Sequence, residues 1–144
     1  EVLLVQAGCL ISLAAASSSI GLSSLISLSI YSRYHKGRSL VSSILLPYVL
    51  EDAAKFKVAK LEILAHMLRA APEDIKGEEA AKMLTEYVRQ KIAKYSLPTR
   101  LKDLQLTVEQ LSLAIEDISK INTINTLPRS MSTDDLFDFI KLAF

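Results

Sequence analysis

The sequence predicts an all-α protein, and three observations support this prediction. Glycine and proline, which mark the turns of β-rich proteins, account for only four residues each among 144. Aromatic residues make up 6% of the chain and there is no Trp, which is sparse for a β-sandwich or barrel. Apolar residues recur at spacings of three and four, and no run of useful length alternates between apolar and polar. We therefore expect residues 1–144 to form a single helical domain.

The first fifty residues of this domain are nearly uncharged. They hold four charged residues against 29 in the remainder, namely Glu1, Arg33, Lys36 and Arg38. An uncharged run of this length can span a bilayer, so a membrane-attached protein is one interpretation. Nine serines and a glycine interrupt the run, and it lacks the basic start of a signal peptide. We favour Ser-rich buried helices, apolar on all sides because other helices surround them.

Two helices are expected in this uncharged part, and a third follows a polar loop. The first runs from Val2 to Ala16. The triple serine Ser17–Ser19 is expected to end it and to cap a second helix that begins near Ile20. The segment Tyr31–Arg38 predicts the polar loop. The third helix contains Pro47, where proline either kinks a helix or marks a new first turn.

Residues 51–96 predict an amphipathic helix pair. Apolar side chains recur at helical spacing in residues 56–68 and again in residues 80–95. The link between them carries a proline and acids, which start helices, and Gly77, which we expect to stop one. His66 is expected to be a half-buried helix residue with a local hydrogen bond.

Residues 97–144 contain two strong helix-start signals. Thr107 with Gln110, and Ser132 with Asp135, have the spacing of capping boxes, which are structural signals. The four glycines of the chain form neither GxGxxG nor GxxxxGK, so no nucleotide site is predicted. The residues alone predict no catalytic, cofactor-binding or metal-binding side chain.

Charge and cysteine content exclude further classes of protein. The 17 basic and 16 acidic residues are interleaved and give a formal net charge of +1, so a nucleic-acid-binding protein is not expected. The single cysteine, Cys9, cannot form an internal disulfide, and with only two histidines the chain has no zinc-binding spacing. A reducing compartment fits these features, and we expect a cytoplasmic protein.

Three segments resemble the iron-dependent (group III) alcohol dehydrogenases. LPTRLKDL at residues 97–104 is similar to the family's LPTRLxDL, and it precedes a helix, an asparagine-containing turn, the pair Pro128-Arg129 and a last helix that ends in Phe144. SILLPYVLE at residues 43–51 resembles the family's AILLPxVLE, and SIGLSSLIS at residues 19–27 resembles its glGlxHaia helix. The resemblance covers nearly the whole chain in order.

The resemblance implies the C-terminal helical half of a two-domain enzyme. Family members bind NAD(P) in an N-terminal α/β half and bind one divalent iron or zinc ion through an aspartate and three histidines in the cleft between the halves. We expect this chain to begin partway through the helical half, without the segments that supply the aspartate and the first histidine. The missing initial Met indicates a processed, truncated or incompletely observed chain.

The remaining two metal-ligand positions carry residues that bind metal poorly. The resemblance places them at Ser24 and at Arg38, which are fourteen residues apart as in the family. The histidine that many members carry four residues after the first of these corresponds to Leu28. A serine hydroxyl is a poor ligand for Fe²⁺ or Zn²⁺, and a guanidinium has no lone pair to donate. Shifting the loop by three residues brings His35 into the ligand position but breaks the spacing to Pro47.

Three functions remain open at this point. The favoured one is a structural or interaction module, not catalytic on its own and without cofactor, whose apolar N-terminal helices are covered in a homo-oligomer or by a partner chain. The alternative is half of a split, NAD(P)- and metal-dependent alcohol dehydrogenase. The third is a membrane-attached protein that uses residues 2–30. If a cleft persists, His35, Lys36 and Arg38 make its rim basic, and a small anion such as phosphate or a carboxylate is the expected ligand.

Overall fold

The computed structural model describes residues 2–144, apart from the side chains at positions 123 and 126. Over this range the chain forms seven α-helices, two short 3-10 turns and no strand, which confirms the predicted all-α class. The helices are α1 (Val2–Ala16), α2 (Leu22–Tyr34), α3 (Arg38–Ala53), α4 (Val58–Met67), α5 (Gly77–Lys94), α6 (Val108–Ser119) and α7 (Thr133–Ala143). The 3-10 turns are Leu101–Leu104 and Asn122–Thr126.

Four helices build the larger hydrophobic core. Helix α2 packs against α3 and α6, and α7 packs against α3 and α6. Buried apolar side chains at helical spacing fill the space between them, among them Ile26, Ile30, Ile44, Leu45, Leu111, Ile115, Leu136 and Ile140. One buried polar contact joins two of these helices, since Ser29 Oγ donates a hydrogen bond to the carbonyl oxygen of Ala114 at 2.8 Å.

Helices α4 and α5 form the predicted amphipathic pair and bury a second apolar cluster with the end of α3. His66 makes the predicted local hydrogen bond, from Nε2 to the carbonyl oxygen of Ile75 at 2.8 Å. The prediction for Gly77 is wrong, because this residue begins α5 instead of ending a helix. Its positive φ of 63° is accessible to glycine without steric cost, and its N–H donates to Glu62 Oε2 at 2.7 Å.

Helix α1 is fully exposed. No residue of α1 is buried, and its large apolar side chains are between 67% and 79% exposed. The prediction of a pair of helices buried on all sides is therefore wrong for α1, and it holds for only one side of α2, which leaves Leu28 and Tyr31 exposed. The physical reason is that the two hydrophobic clusters are completed by residues from position 22 onward, so α1 contributes no side chain to either of them.

The start of α2 also differs from the prediction. Ser17 and Ser18 donate back to the carbonyls of Leu13 and Ala14, at 3.1 Å and 2.7 Å. These serines end α1 as predicted, but they do not cap α2, whose N-cap is Gly21 without a side-chain hydrogen bond. Hydroxyls that bond to carbonyls in the preceding turn are no longer directed at the next helix.

The polar loop after α2 is shorter than predicted. Helix α2 continues through Tyr34 and α3 begins at Arg38, so the loop consists of residues 35–37. Helix α3 then continues through the buried Pro47, which therefore does not start a new helix.

The two capping boxes are confirmed. Thr107 Oγ1 accepts a hydrogen bond from the N–H of Gln110, and Ser132 Oγ accepts one from the N–H of Asp135. Among residues 2–144, no helix combines the length and the apolar character that crossing a bilayer requires.

Candidate functional site

A hollow of about 630 Å³ lies between α2 and the start of α3. Its six lining residues carry five hydroxyl groups and one guanidinium: Ser24, Ser27, Tyr31, Arg38, Ser39 and Ser42. The structure thus brings together Ser24 and Arg38, the two positions that the family resemblance aligned with metal ligands.

Helix geometry and a short loop position these side chains. Ser24, Ser27 and Tyr31 follow one another at spacings of three and four, which places them on one face of α2. Arg38, Ser39 and Ser42 belong to the first turns of α3. The three-residue loop makes α2 and α3 packed neighbours, so these two groups face the same space.

Arg38 is the permanently charged group of this hollow. Its guanidinium has neither an ion-pair partner nor a hydrogen-bond partner among the described residues. Arg33, near the end of α2, is neutralised instead, because its Nε and Nη2 both donate to the carboxylate of Asp117. This hydrogen-bonded pair raises the pKa of Arg33 and lowers the pKa of Asp117.

The hydroxyl groups of the hollow differ in their hydrogen bonding. Ser27 is buried and its Oγ donates to the carbonyl oxygen of Ser24 at 3.0 Å. The ring of Tyr31 meets the ring of His35 edge to face, with centroids 6.0 Å apart and an interplanar angle of 84°. His35 therefore contacts a residue of the lining without lining the hollow itself.

The other predicted positions lie outside the lining. Leu28 is exposed on α2 and does not line the hollow. Lys36 lies in the three-residue loop and is also not part of the lining. Sequence reasoning missed Ser27, Tyr31, Ser39 and Ser42, although their helical spacing from Ser24 or Arg38 is a signal that could have found them.

The residues of the hollow do not fit the divalent metal that the family resemblance implies. Neutral hydroxyls are weak ligands for Fe²⁺ or Zn²⁺, and the fixed positive charge of Arg38 repels a cation. Within residues 2–144, no three side chains of the His, Cys, Asp or Glu type are grouped so that they could hold a metal ion.

A second cavity, of about 410 Å³, lies between α3, α5 and residues 99–100. Arg89 and Arg100 lie over the ring of Tyr48, at 5.5 Å and 6.0 Å from its centre. Both cations already have partners, since Arg89 pairs with Glu51 at 2.7 Å and Arg100 donates to the carbonyl oxygen of Leu142. The charged side chains of this cavity thus already bind other parts of the chain. The hollow between α2 and α3 is therefore the better candidate site.

A match to a family profile shows which known proteins this chain is related to. The profile described as "Fe-containing alcohol dehydrogenase family, C-terminal" matches residues 3–144. The chain belongs to the iron-containing alcohol dehydrogenase family. The match covers almost every residue of the C-terminal helical domain described above, and it confirms the resemblance found in the sequence.

Two solved structures share the fold of this chain. A 1,3-propanediol oxidoreductase is 16% identical with a TM-score of 0.79, and an alcohol dehydrogenase from Oenococcus oeni is 18% identical with a TM-score of 0.79. In both cases the similarity covers 87% of this chain and 33% of the other chain. The chain thus spans about a third of the length of these relatives. No curated protein matches it.

Proposed function

We propose that this chain is a helical domain of the iron-containing alcohol dehydrogenase family that acts as a binding and docking domain and does not itself perform metal-dependent catalysis. The single observation that carries the proposal is that Ser24 and Arg38 line the same hollow. These are the two positions where the family resemblance expects imidazoles.

The chemistry of these two side chains supports the proposal. Hydride transfer in a metal-dependent dehydrogenase relies on a Lewis acid that polarises a carbonyl oxygen. The guanidinium group of Arg38 has no lone pair to donate to such an ion. The family's hydride donor, NAD(P), is bound by a different half of the protein, and the glycines of this chain form no nucleotide-binding motif. No cofactor is therefore assigned to this chain alone.

Helix α1 supports the docking role. Its fifteen residues carry no charge, and all of them are exposed. An exposed apolar surface of this kind marks an interaction site in a stable protein. Since the chain spans about a third of its structural relatives, we infer that α1 packs against the remaining part of a family-length protein, in the same or in a separate polypeptide. We place this assembly in the cytoplasm, because the lone cysteine fits a reducing compartment.

Sedimentation velocity combined with binding of an apolar dye tests the docking role. The double variant L4K/I11K adds charge to α1, and Ile63→Lys, at another largely exposed apolar position, on α4, is the control. We expect the 144-residue chain to self-associate or to bind the dye, and we expect only the α1 variant to lose this behaviour. A clean monomer that binds no dye contradicts the docking role. A saturable dimer that L4K/I11K abolishes would identify a second copy as the occupant.

The extent of the family match favours a second candidate function. Because the profile covers residues 3–144 while the chain spans a third of the solved relatives, the chain can be one part of a split NAD(P)-dependent alcohol dehydrogenase. Purification of the native complex, followed by an assay for alcohol-dependent NAD(P) reduction, separates the candidates. The proposed function predicts no activity, and activity that requires this chain supports the alternative. Release from membranes only by detergent would instead indicate a membrane-attached protein.

A further inference from the structure

We propose that helices α4 and α5 form a lid (residues 58–94) that opens as one unit from the rest of the domain, while α2, α3, α6 and α7 stay folded. The lid covers the C-terminal end of α3 and forms one wall of the cavity of about 410 Å³ between α3, α5 and residues 99–100. Its opening controls access to this face of the domain, which is a conformational property beyond the proposed function.

The lid is attached to the domain through one helix. Helices α4 and α5 pack mainly against each other, and both also contact α3. Within the described residues, neither of them packs extensively on α2, α6 or α7. The non-helical residues 54–57 and 95–100 flank the lid, and segments of this kind can absorb the change in backbone angles when a pair of helices swings. Separation of the lid from α3 therefore leaves the contacts among the other helices in place.

The hydrophobic cluster under the lid is small and shares no residue with the larger core. Among the described residues, four of its seven buried members are alanines, and the others are Leu50, Leu61 and Leu84. An alanine buries a single methyl group, whereas the larger core is built mainly of leucine and isoleucine. Regions with few buried apolar contacts open at a lower free energy than the whole domain. The lid is therefore held less strongly than the larger core.

Two cavities lie along the boundary between the lid and the rest of the domain. The cavity of about 410 Å³ has Ile92 of the lid on one side and Ile44 and Leu142 on the other. A second cavity, of about 280 Å³, lies between the start of α4, the end of α3 and the segment 127–131. Side chains that face a cavity lack the dispersion contacts that a close-packed boundary provides. The boundary is therefore more weakly packed than the interior of the larger core.

Arg89 of α5 makes polar contacts that close this boundary. Its Nη1 donates to Glu51 Oε1 of α3 at 2.7 Å, and its guanidinium group lies 5.5 Å from the centre of the Tyr48 ring. The side chains of Arg89 and Glu51 are 38% and 48% exposed, so water competes for this ion pair. Contacts of this strength can break and re-form as the lid opens and closes.

Hydrogen bonds within the lid hold its two helices together. His66 Nε2 bonds to the carbonyl oxygen of Ile75, and the N–H of Gly77 donates to Glu62 Oε2. Both bonds fix the link between the helices, and the start of α5, to α4. We therefore expect α4 and α5 to move together instead of opening one at a time.

Hydrogen–deuterium exchange of the folded 144-residue chain, followed by mass spectrometry, tests the proposal. We expect the best-protected amides of α4 and α5 to have a common protection factor. It should be lower by about tenfold or more than that of the best-protected amides of α2, α3, α6 and α7. One protection factor shared by all six helices would overturn the proposal, and so would clearly different protection in α4 and α5.

Two variants test what holds the lid closed. Leu84→Ala removes a fully buried side chain of the cluster under the lid. It should speed exchange in α4 and α5 by about tenfold or more, and it should leave exchange in α6 and α7 unchanged within about twofold. Arg89→Gln is the milder variant, because it changes a half-exposed side chain, and it should speed exchange in the lid by about threefold or more.

Lys91→Gln is the matched control for Arg89→Gln. The ammonium group of Lys91 lies 5.0 Å from the centre of the Tyr87 ring on the same helix, so its contact does not cross the boundary. We expect this variant to change exchange in the lid by less than about twofold. Equal effects of Arg89→Gln and Lys91→Gln would overturn the role of Arg89. An effect of Leu84→Ala that is equal in all six helices would overturn the lid itself.

Discussion

Ser24 in the first turn of α2 and Arg38 at the start of α3 line the same hollow, although fourteen residues separate them in the sequence. The family resemblance aligned these two residues with metal ligands, and the helices that carry them pack against each other. The consequence is chemical, because a hydroxyl and a guanidinium cannot replace two imidazoles as ligands of a divalent ion.

Restoring the imidazoles at these two positions should restore affinity for metal. In the double variant S24H/R38H, two neutral imidazoles face the hollow and the repelling charge is gone. We expect equilibrium dialysis to show Zn²⁺ binding by this variant. The control variant S24T/R38Q also removes the charge but supplies no nitrogen ligand, and it should bind no Zn²⁺. Equal binding by both variants would contradict the assignment of these positions.

Substitution of the core residue Leu45 should destabilise the domain far more than substitution of its neighbour. Leu45 is fully buried in the α2–α3–α6–α7 core, whereas Leu46 is 40% exposed. Leu45→Ala should lower the free energy of unfolding by about 2–5 kcal/mol, because it leaves a cavity. Leu46→Ala should lower it by less than about 1 kcal/mol. Urea denaturation followed by circular dichroism measures both, and equal losses would contradict the packing described.

The buried hydrogen bond between α2 and α6 should contribute measurably to stability. Ser29→Ala removes the donor to the Ala114 carbonyl and should cost about 1 kcal/mol. Ser43→Ala is the matched control, because the hydroxyl of Ser43 bonds to the Ser39 carbonyl within its own exposed helix face. The control should change stability by less than about 0.5 kcal/mol. A larger loss in Ser43→Ala than in Ser29→Ala would count against this contact.

The Arg33–Asp117 pair predicts a specific dependence of stability on pH. Hydrogen bonds from Arg33 lower the pKa of Asp117 in the folded state below the value of about 3.9 for an unfolded chain. The contribution of the pair is therefore present above pH 4 and is lost as the pH falls through the folded-state pKa. Both side chains are more than a third exposed, so solvent screening keeps the effect small.

Urea midpoints of the wild type and of Asp117→Asn, measured from pH 7 down to pH 2, test this dependence. We expect the wild type to be the more stable protein at neutral pH and the difference to shrink below pH 4. Glu116→Gln, at a neighbouring acid with no ion pair among the described residues, should give no such pH-dependent difference. A difference that grows on acidification would contradict the assigned sign.

Local signals in the sequence predicted much of the fold. The capping boxes at Thr107 and Ser132 fixed the starts of α6 and α7, because both partners of each box lie within four residues. The end of α2 was placed too early, since the residue that pairs with Arg33 lies 84 positions away, at Asp117. A helix that is apolar on all sides, such as α1, has no polar face to show which side meets solvent. The sequence therefore could not show that α1 is left uncovered.

The candidate site was predicted only in part for a similar reason. The family resemblance supplied Ser24 and Arg38, and helical spacing places Tyr31 and Ser42 on the same helix faces as these two. Whether the two faces line one hollow depends on how α2 packs against α3, which local sequence does not show. The sequence around Pro128-Arg129 did not indicate the structural role of this pair either. Arg129 binds Asp52 at 3.2 Å and ties the segment before α7 to the end of α3.

Elemental analysis of the 144-residue chain, purified from cells supplied with iron and zinc, tests the absence of a metal site most directly. We predict far less than one iron or zinc ion per chain after exhaustive dialysis, and no change on substitution of His35 by alanine. One equivalent of either metal in the wild type, lost in His35→Ala, would contradict the assignment and make this domain a metal-binding part of an enzyme.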